Sequence, residues 1–185
     1  MSLEQDRERL GQLLSARSVK RGGEFKLASG RMSDVYCDAR VTTCHAEAMP
    51  LIGRLFLARI AERGWKPDAI GGLTMGADPI VCAVAHQSAI AGAPVNGFLV
   101  RKEAKGHGTK RQIEGILDGE ASGVVIVDDV CTTGDSTVKA IEAARAAGLR
   151  VLGAICLVDR EEGARETIET GLGCPFDRIF RIAEL

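Results

Sequence analysis

Residues 124–137 read Val-Val-Ile-Val-Asp-Asp-Val-Cys-Thr-Thr-Gly-Asp-Ser-Thr, and this stretch decides the fold. Four apolar residues in a row are typical of a strand that is buried on both faces. The loop after them is rich in Thr, Gly and Ser, and residues 136–147 have the apolar spacing of a helix. Loop amides, hydroxyls and the positive end of a helix dipole then meet at one point, which favours an anion. Val124–Ala147 is therefore predicted to be a strand, a phosphate-binding loop and a helix.

Two adjacent carboxylates, Asp128 and Asp129, stand at the tip of the predicted strand. Buried carboxylates are costly unless hydroxyls, a cation or water satisfy them. Beside a phosphate-binding loop, they suit a ligand that offers both a phosphate and a diol. The structural alternative is an ordinary helix cap at Asp135 or Ser136, with Asp128 in a turn. The loop does not match the glycine patterns of dinucleotide-binding or P-loop folds.

The rest of the chain alternates strands with helices. Strands are predicted at 69–73, 95–100, 151–158 and 178–182, and helices at 4–17, 45–63, 79–91 and 161–170. Residues 24–41 combine alternation with turn residues, which predicts a small β excursion before the main fold. The sequence thus predicts an α/β protein with a central, mostly parallel sheet flanked by helices. We expect one domain, 1–185, with a helix and a small hood in residues 1–40 and the core in 41–185.

The composition is that of a globular protein without a strong overall charge. Apolar residues make up 45% and charged residues 26%, and the net charge of −1 predicts no general nucleic-acid-binding surface. No apolar run approaches the roughly 20 residues that span a bilayer, and the polar first residues do not resemble a signal peptide. We therefore expect a cytosolic protein that binds neither membranes nor nucleic acids. The 6 cysteines form no C-x-x-C pair, so neither a disulfide scaffold nor a zinc site is expected.

Ligands of parallel sheets bind at the carboxyl ends of the strands, so the segments after the other strands are informative. Residues 101–111 read RKEAKGHGTKR, and such cations can stabilise a charged leaving group. A solvated charged surface is the alternative. Residues 74–79, TMGADP, form either a plain turn or a loop whose amides bind a phosphate. Arg160 presents a planar fork that suits a carboxylate ligand or a neighbouring glutamate.

Together, these motifs resemble those of type I phosphoribosyltransferases, and of orotate phosphoribosyltransferases in particular. Residues 124–137 are similar to that family's phosphoribosyl pyrophosphate (PRPP) signature. Residues 101–108 followed by Ile-Glu-Gly at 113–115 resemble its flexible catalytic loop. FKLASGRMS at 25–33 resembles the hood over the base, and Asp-Arg-Glu-Glu-Gly at 159–163 resembles the context of its orotate-binding arginine.

The resemblance implies transfer of the phosphoribosyl group from PRPP to orotate, giving orotidine 5′-monophosphate and pyrophosphate, in pyrimidine (UMP) biosynthesis. It implies Mg²⁺ held mainly by PRPP, and a homodimer whose catalytic loops reach the neighbouring subunit's site. The implied catalytic residues are Lys105, His107, Asp128 and Asp129. The implied PRPP-binding residues are Arg101, Lys102, Lys105, His107, Asp128, Asp129, Thr132, Thr133, Gly134, Asp135, Ser136 and Thr137. The implied orotate-binding residues are Lys26, Thr132 and Arg160.

The sequence departs from the family pattern at three places. Ala28 stands where many members have a lysine before the Ser-Gly pair, and Lys26 is expected to replace it because residues two apart share a strand face. Residues 74–77 contain no lysine, so only backbone contacts to pyrophosphate are expected there. Asp135 places a carboxylate in the phosphate-binding loop, and we expect it to point outward and cap the helix.

Three alternatives remain at the level of sequence. A purine-type phosphoribosyltransferase shares the ribose-phosphate loop but should lack the RKxxKxHG pattern and the Ser-Gly hood. A non-catalytic, PRPP-sensing regulator of the same fold would be expected to lose the loop lysines, which this chain retains. A flavodoxin-like binding domain would not explain paired carboxylates before Thr-Thr-Gly.

Overall fold

The protein contains a six-stranded sheet and a smaller two-stranded sheet. The computed structural model describes residues 2–26, 32–103, 112–117 and 119–185. In spatial order, the large sheet is β5 (Ile113–Glu114), β4 (Asn96–Val100), β3 (Ala69–Leu73), β6 (Gly123–Cys131), β7 (Arg150–Asp159) and β8 (Phe176–Arg181). β5 runs antiparallel to β4, and the other neighbours are parallel. The small sheet pairs β1 (Val19–Lys26) and β2 (Met32–Cys37) antiparallel. The predicted mostly parallel α/β sheet is confirmed.

Helices cover both faces of the large sheet, which explains why its central strands are continuously apolar. They are α1 (Leu3–Arg17), α2 (Arg40–Thr43), α3 (Ala48–Glu62), α4 (Asp78–Ile90) and α5 (Asp135–Ala146), with a π-helical turn at Glu166–Thr170. Val125 and Val127 of β6 pack in one core cluster with residues of α1, α3 and α4. Val124 and Ile126 pack in a second cluster with α5 and the π-helical turn. Alternate residues of one strand thus enter two different cores.

The first helix is part of the core. A capping box between Ser2 and Gln5 begins α1, and Leu10 and Leu14 are fully buried against α3. Asp6 is also fully buried, and it accepts two hydrogen bonds from Arg54 of α3 at 2.6 and 3.0 Å. This bidentate pairing satisfies the buried carboxylate and fixes α1 on α3. None of the helices described combines the length and apolar character needed to cross a membrane.

The two-stranded sheet begins earlier than the sequence predicted. β1 starts at Val19, where Val19 pairs with Cys37, whereas the predicted excursion began at residue 24. Residues 19–23 are polar or glycine apart from Val19, so their strand character comes from pairing and not from an apolar pattern. The predicted excursion also ended at residue 41, but residues 40–43 form α2. Burial alternates along β2, so one face of this strand points inward.

Candidate active site

The two adjacent carboxylates lie within β6, which continues past its apolar run to Cys131. Asp128 is 4% exposed, and its Oδ2 accepts a hydrogen bond of 2.8 Å from the Thr137 hydroxyl. Its Oδ1 accepts a second one from the Asp129 backbone N–H at 3.0 Å. The Asp129 carboxylate is paired in turn with the Val130 backbone N–H at 2.9 Å. The strand and the first turn of α5 therefore hold both acids at the carboxyl edge of the sheet.

Both acids have raised pKa values, and a bound ligand can lower the free-energy cost of their charged forms. Burial, and after it the negative charge of Asp129, raise the pKa of Asp128 to about 7, and the Thr137 hydroxyl opposes the rise. Burial also raises the pKa of Asp129, while the Val130 N–H and the positive charge of Arg40 oppose this. Hydroxyl donors or a cation would stabilise the charged forms. The pair is thus suited to a diol and to a ligand that carries a divalent cation.

This burial predicts a pH-dependent cost in stability. A carboxyl group whose folded-state pKa is raised destabilises the fold as pH rises from its unfolded pKa to its folded pKa, so the Asp128 penalty is complete above about pH 7. Without ligands, Asp128→Asn should therefore unfold with a higher free energy than the wild type at pH 8.5. We expect an excess on the order of a few kcal/mol, shrinking toward pH 5.

Urea unfolding at pH 5 and pH 8.5 measures this difference. Glu142→Gln is the matched control, because it makes the same acid-to-amide change on the exposed face of α5. If the free energies of unfolding of Asp128→Asn and the wild type have the same pH dependence, burial does not destabilise the charged form of Asp128.

The loop between β6 and α5 leaves the start of the helix open. Gly134 is the N-cap residue of α5, with φ of 89°, and no side chain in the described part of the chain caps the first turn. Asp135 is exposed and is the first helical residue, so the prediction that it caps the helix is wrong; it does point outward. A Cβ on Gly134 would also lie 3.3 Å from the Ala164 Cα. The positive φ and this close approach together favour glycine, and the helix amides remain available to an anion.

A second loop approaches the same acids from β3. A Cβ placed on Gly76 would lie 2.4 Å from the Asp129 Oδ1, which shows how closely the backbone of residues 74–77 passes the carboxylate. The Thr74 N–H is bonded to the Val100 carbonyl at 2.9 Å, so the start of this loop is fixed to β4. The predicted Gly-containing loop therefore lies beside the paired carboxylates, and it brings backbone groups to them.

Arg160 follows β7 and lies beside the phosphate-binding loop. Its backbone N–H donates to the Cys131 carbonyl at 2.9 Å, and the residue is 8% exposed. Its Nε donates to the Glu162 Oε1 at 2.8 Å. Its Nη2 lies 3.2 Å from both the Ser33 hydroxyl and the Val35 carbonyl of β2. Arg160 therefore joins the two-stranded sheet to the carboxyl edge of the large sheet.

The turn that carries Arg160 is fixed by Asp159, which is 2% exposed. One carboxylate oxygen of Asp159 accepts from the Glu161 N–H and the other from the Arg178 Nη1, both at 2.8 Å. Glu161 adopts φ of 57°, a left-handed conformation that is uncommon for a residue other than glycine. The buried Asp159 carboxylate thus fixes the turn around Arg160 through the Glu161 N–H, and its ion pair with Arg178 anchors it to β8.

Comparison with known proteins identifies the family. A family model described as the phosphoribosyl transferase domain matches residues 44–175. The orotate phosphoribosyltransferase of Aquifex aeolicus (strain VF5) is 47% identical over 183 residues, covering 97% of this chain and 97% of that protein. The chain belongs to the orotate phosphoribosyltransferase family.

Solved structures of orotate phosphoribosyltransferases have the same fold. The Mycobacterium tuberculosis H37Rv enzyme in complex with Fe(III) dicitrate superposes with a TM-score of 0.83 at 40% identity, covering 97% of this chain and 98% of that one. The same enzyme in complex with PRPP gives 0.79 at 35% identity, again covering 97% and 98%. These relatives support the predicted activity over the purine-type and regulatory alternatives.

The remaining residues predicted from the orotate phosphoribosyltransferase resemblance are placed only in part. Arg101 and Lys102 are exposed, and Arg101 is bonded to Gln112 through its backbone N–H at 2.9 Å. Lys105 and His107 lie outside the described residues. Lys26 ends β1 opposite Met32, and its side chain is not among those described. Thr132 and Thr133 are half-buried and Ser136 is exposed.

Sequence reasoning missed an ion pair beside the site. The Arg40 side chain donates two hydrogen bonds to Asp38, at 2.9 and 3.1 Å, and its positive charge opposes the rise that burial causes in the pKa of Asp129. In the sequence, an Asp-x-Arg pair is indistinguishable from a surface ion pair, because Asp129 is far away along the chain. The only available signal was its position at the end of the predicted β excursion.

Cys131, inside the phosphate-binding loop motif, is a buried neutral thiol. It is 1% exposed, and its sulfur lies 3.1 Å from the Thr137 hydroxyl. Hydrogen bonding with Cys156 and burial hold the pKa of its thiol well above the ordinary value. Because the thiolate is the reactive form, this environment disfavours oxidation at Cys131.

Proposed function

We propose that this protein transfers the phosphoribosyl group of PRPP to orotate, giving orotidine 5′-monophosphate and pyrophosphate. The observation that carries the proposal is the pair of the buried Asp128 and the half-buried Asp129, which lies beside an uncapped helix start and faces a second backbone loop. One ligand with a diol, a 5-phosphate and a pyrophosphate would satisfy all three. The M. tuberculosis relative was crystallised with such a ligand, PRPP.

The proposed roles are supported by the positions of the described residues and, for Lys26, by the family resemblance. Asp128 and Asp129 accept hydrogen bonds from the ribose hydroxyls, and the amides and hydroxyls of residues 132–137 bind the 5-phosphate. Arg160 binds the orotate carboxylate, with Thr132 and Lys26 as further orotate contacts. As pyrophosphate departs, C1 of the ribose becomes oxocarbenium-like, and the paired carboxylates keep the ribose oriented. Orotate is already anionic, so no strong base is required.

Mg²⁺ fits this site as an ion carried by the substrate. Among the described residues, no group of three or more His, Cys, Asp or Glu side chains is arranged to hold a metal. Mg²⁺ is commonly bound by one or two carboxylates together with substrate phosphates, and Asp128 and Asp129 are the carboxylates that would contribute. When bound, the ion neutralises charge on the pyrophosphate.

The remaining part of the proposal concerns the loop after β4. Arg101, Lys102, Lys105 and His107 stabilise the charge that develops on the leaving pyrophosphate. In a homodimer, each loop serves the neighbouring subunit's site. The support for this part is the RKEAKGHG pattern and the position of Arg101 at the carboxyl end of β4. A cytosolic location stays a prediction from the sequence.

The direct test is an acceptor panel with PRPP and Mg²⁺. We expect the orotate absorbance to fall and pyrophosphate to appear in equal amounts, with adenine, hypoxanthine and guanine unused. Lys105→Ala in the same assay separates catalysis from background hydrolysis of PRPP. Consumption of a purine in preference to orotate would contradict the proposal, and PRPP binding without any turnover would favour a regulatory protein.

A further inference from the structure

Arg160 is held from two sides by different parts of the chain. On one side, Glu162, two residues away, accepts from Nε at 2.8 Å; the side chains of the pair are 5% and 18% exposed. On the other side, Nη2 is bonded to Ser33 and Val35 of β2, more than 120 residues earlier in the chain. Among the described contacts, Nη1 is the terminal nitrogen left for a ligand. The guanidinium is therefore oriented before any acceptor arrives.

We propose that Ser33 is a positioning residue for the acceptor: its hydroxyl fixes the Arg160 guanidinium in the orientation that receives the acceptor carboxylate. The inference rests on the proposed function, because it takes Arg160 as the group that binds that carboxylate. It goes further by assigning a role to β2, which acts on the acceptor through Arg160.

The hydroxyl at position 33 has the bonding capacity that this role needs. It accepts from the Val35 N–H at 3.1 Å, donates to the Val35 carbonyl at 2.9 Å, and accepts from Arg160 Nη2 at 3.2 Å. These bonds fix the hydroxyl on the backbone of β2, so it is a rigid point of attachment. The alternation of β2 turns Ser33 and Val35 to the same inner face.

The neighbouring Glu162 is the reason that the hydrogen bond between Ser33 and Arg160 matters for acceptor binding. Nε and Nη2 form one edge of the guanidinium, and a carboxylate can take both in a bidentate pair. Because Ser33 and Val35 occupy Nη2, Glu162 bonds to Nε. Loss of the Ser33 hydroxyl would leave Nη2 with the Val35 carbonyl as its one described partner, and this weaker attachment would let the guanidinium turn toward Glu162. The acceptor would then have to displace a stronger internal ion pair before it could bind.

Ser33→Ala should raise the KM for orotate about tenfold, the size expected for loss of one hydrogen bond to a charged group. We expect kcat to change by less than about twofold and the KM for PRPP to stay unchanged, since only acceptor binding is affected. Ser33→Thr keeps the hydroxyl and should restore the wild-type KM, and Ser33→Cys should give an intermediate value. Ser15→Ala is the control: it removes another side chain–backbone hydrogen bond, to the Gly11 carbonyl in α1.

A double-mutant cycle shows whether Ser33 acts through Arg160. In an Arg160→Lys background, Ser33→Ala should change the KM for orotate by less than about twofold. A tenfold rise there as well, a fall in the KM for orotate, or an equal rise in both KM values would overturn the proposal. Thermal unfolding confirms that each variant is folded. If the wild type does not use orotate at all, the proposed function fails; if it does and Ser33→Ala behaves as wild type, only this inference fails.

Discussion

Replacing Asp128 and Asp129 together by asparagine should abolish PRPP binding and lower kcat/KM by on the order of 10⁴-fold. Removing one preorganised group that stabilises transition-state charge typically costs about 10²–10³-fold in rate, and both acids act on the same ribose. Asparagine keeps the size of each side chain but replaces one carboxylate oxygen by an N–H donor. Hydrogen bonds to carboxylates are about twice as strong as neutral ones, so the ribose diol loses its best acceptors.

Titration calorimetry with PRPP and Mg²⁺ measures the loss of binding, and the orotate assay measures the loss of rate. The double variant should still fold, because amides are cheaper to bury than the two charges they replace. Glu142→Gln, the exposed acid-to-amide change on α5, should bind PRPP like the wild type. A folded double variant with wild-type affinity for PRPP would place the donor site elsewhere.

The large sheet could be predicted because its physical cause is local. A strand covered on both faces must be apolar at every position, and Val124–Val127 satisfies this condition within four residues. The same reasoning located the loops at the carboxyl ends of β3, β4, β6 and β7. It failed for residues 19–23 of β1, whose polar and glycine residues become a strand through pairing with β2.

The site could be predicted as far as its residues are neighbours in sequence. Asp128, Asp129 and the loop to Thr137 were found because strand, acids and helix start are contiguous. The bonds of Arg160 to Ser33 and Val35 could not be read from the chain, because the fold brings these residues together. The expected cap at Asp135 was wrong for a local reason: Gly134 takes the left-handed conformation that ends the loop.

The reach of the loop after β4 does not decide which subunit it serves. β4 is separated from β6 by one strand, β3. Strands lie about 4.8 Å apart, so the base of the loop and the paired carboxylates are roughly 10 Å apart. An extended chain spans about 3.3 Å per residue, so half of the segment 102–111 can cover that distance. The distance therefore also allows each loop to act in its own subunit, which is the alternative to the proposed exchange of loops between subunits.

Lys105→Ala should lower kcat by about 10²–10³-fold without unfolding the protein, because the lysine is proposed to stabilise charge only as pyrophosphate departs. The change should leave PRPP affinity much closer to the wild type than the Asp128 and Asp129 replacements do. Single-turnover kinetics and calorimetry separate the two effects. Near-normal kcat would mean that residues 101–111 form a charged surface with no part in the reaction.

Mixing inactive subunits distinguishes a loop that serves the neighbouring subunit's site from a loop that serves its own. Lys105→Ala subunits keep Asp129, and Asp129→Asn subunits keep Lys105. If loops are exchanged, each mixed dimer contains one intact site and one doubly defective site. One of the two sites of a mixed dimer is intact, so the isolated mixed dimer should recover about half of the wild-type activity per subunit. An unseparated random mixture, in which half of the dimers are mixed, should give about one quarter. The subunits are co-expressed with different tags, and the mixed dimer is isolated by two affinity steps. Activity in that dimer no higher than in either parent would show that each loop serves its own subunit.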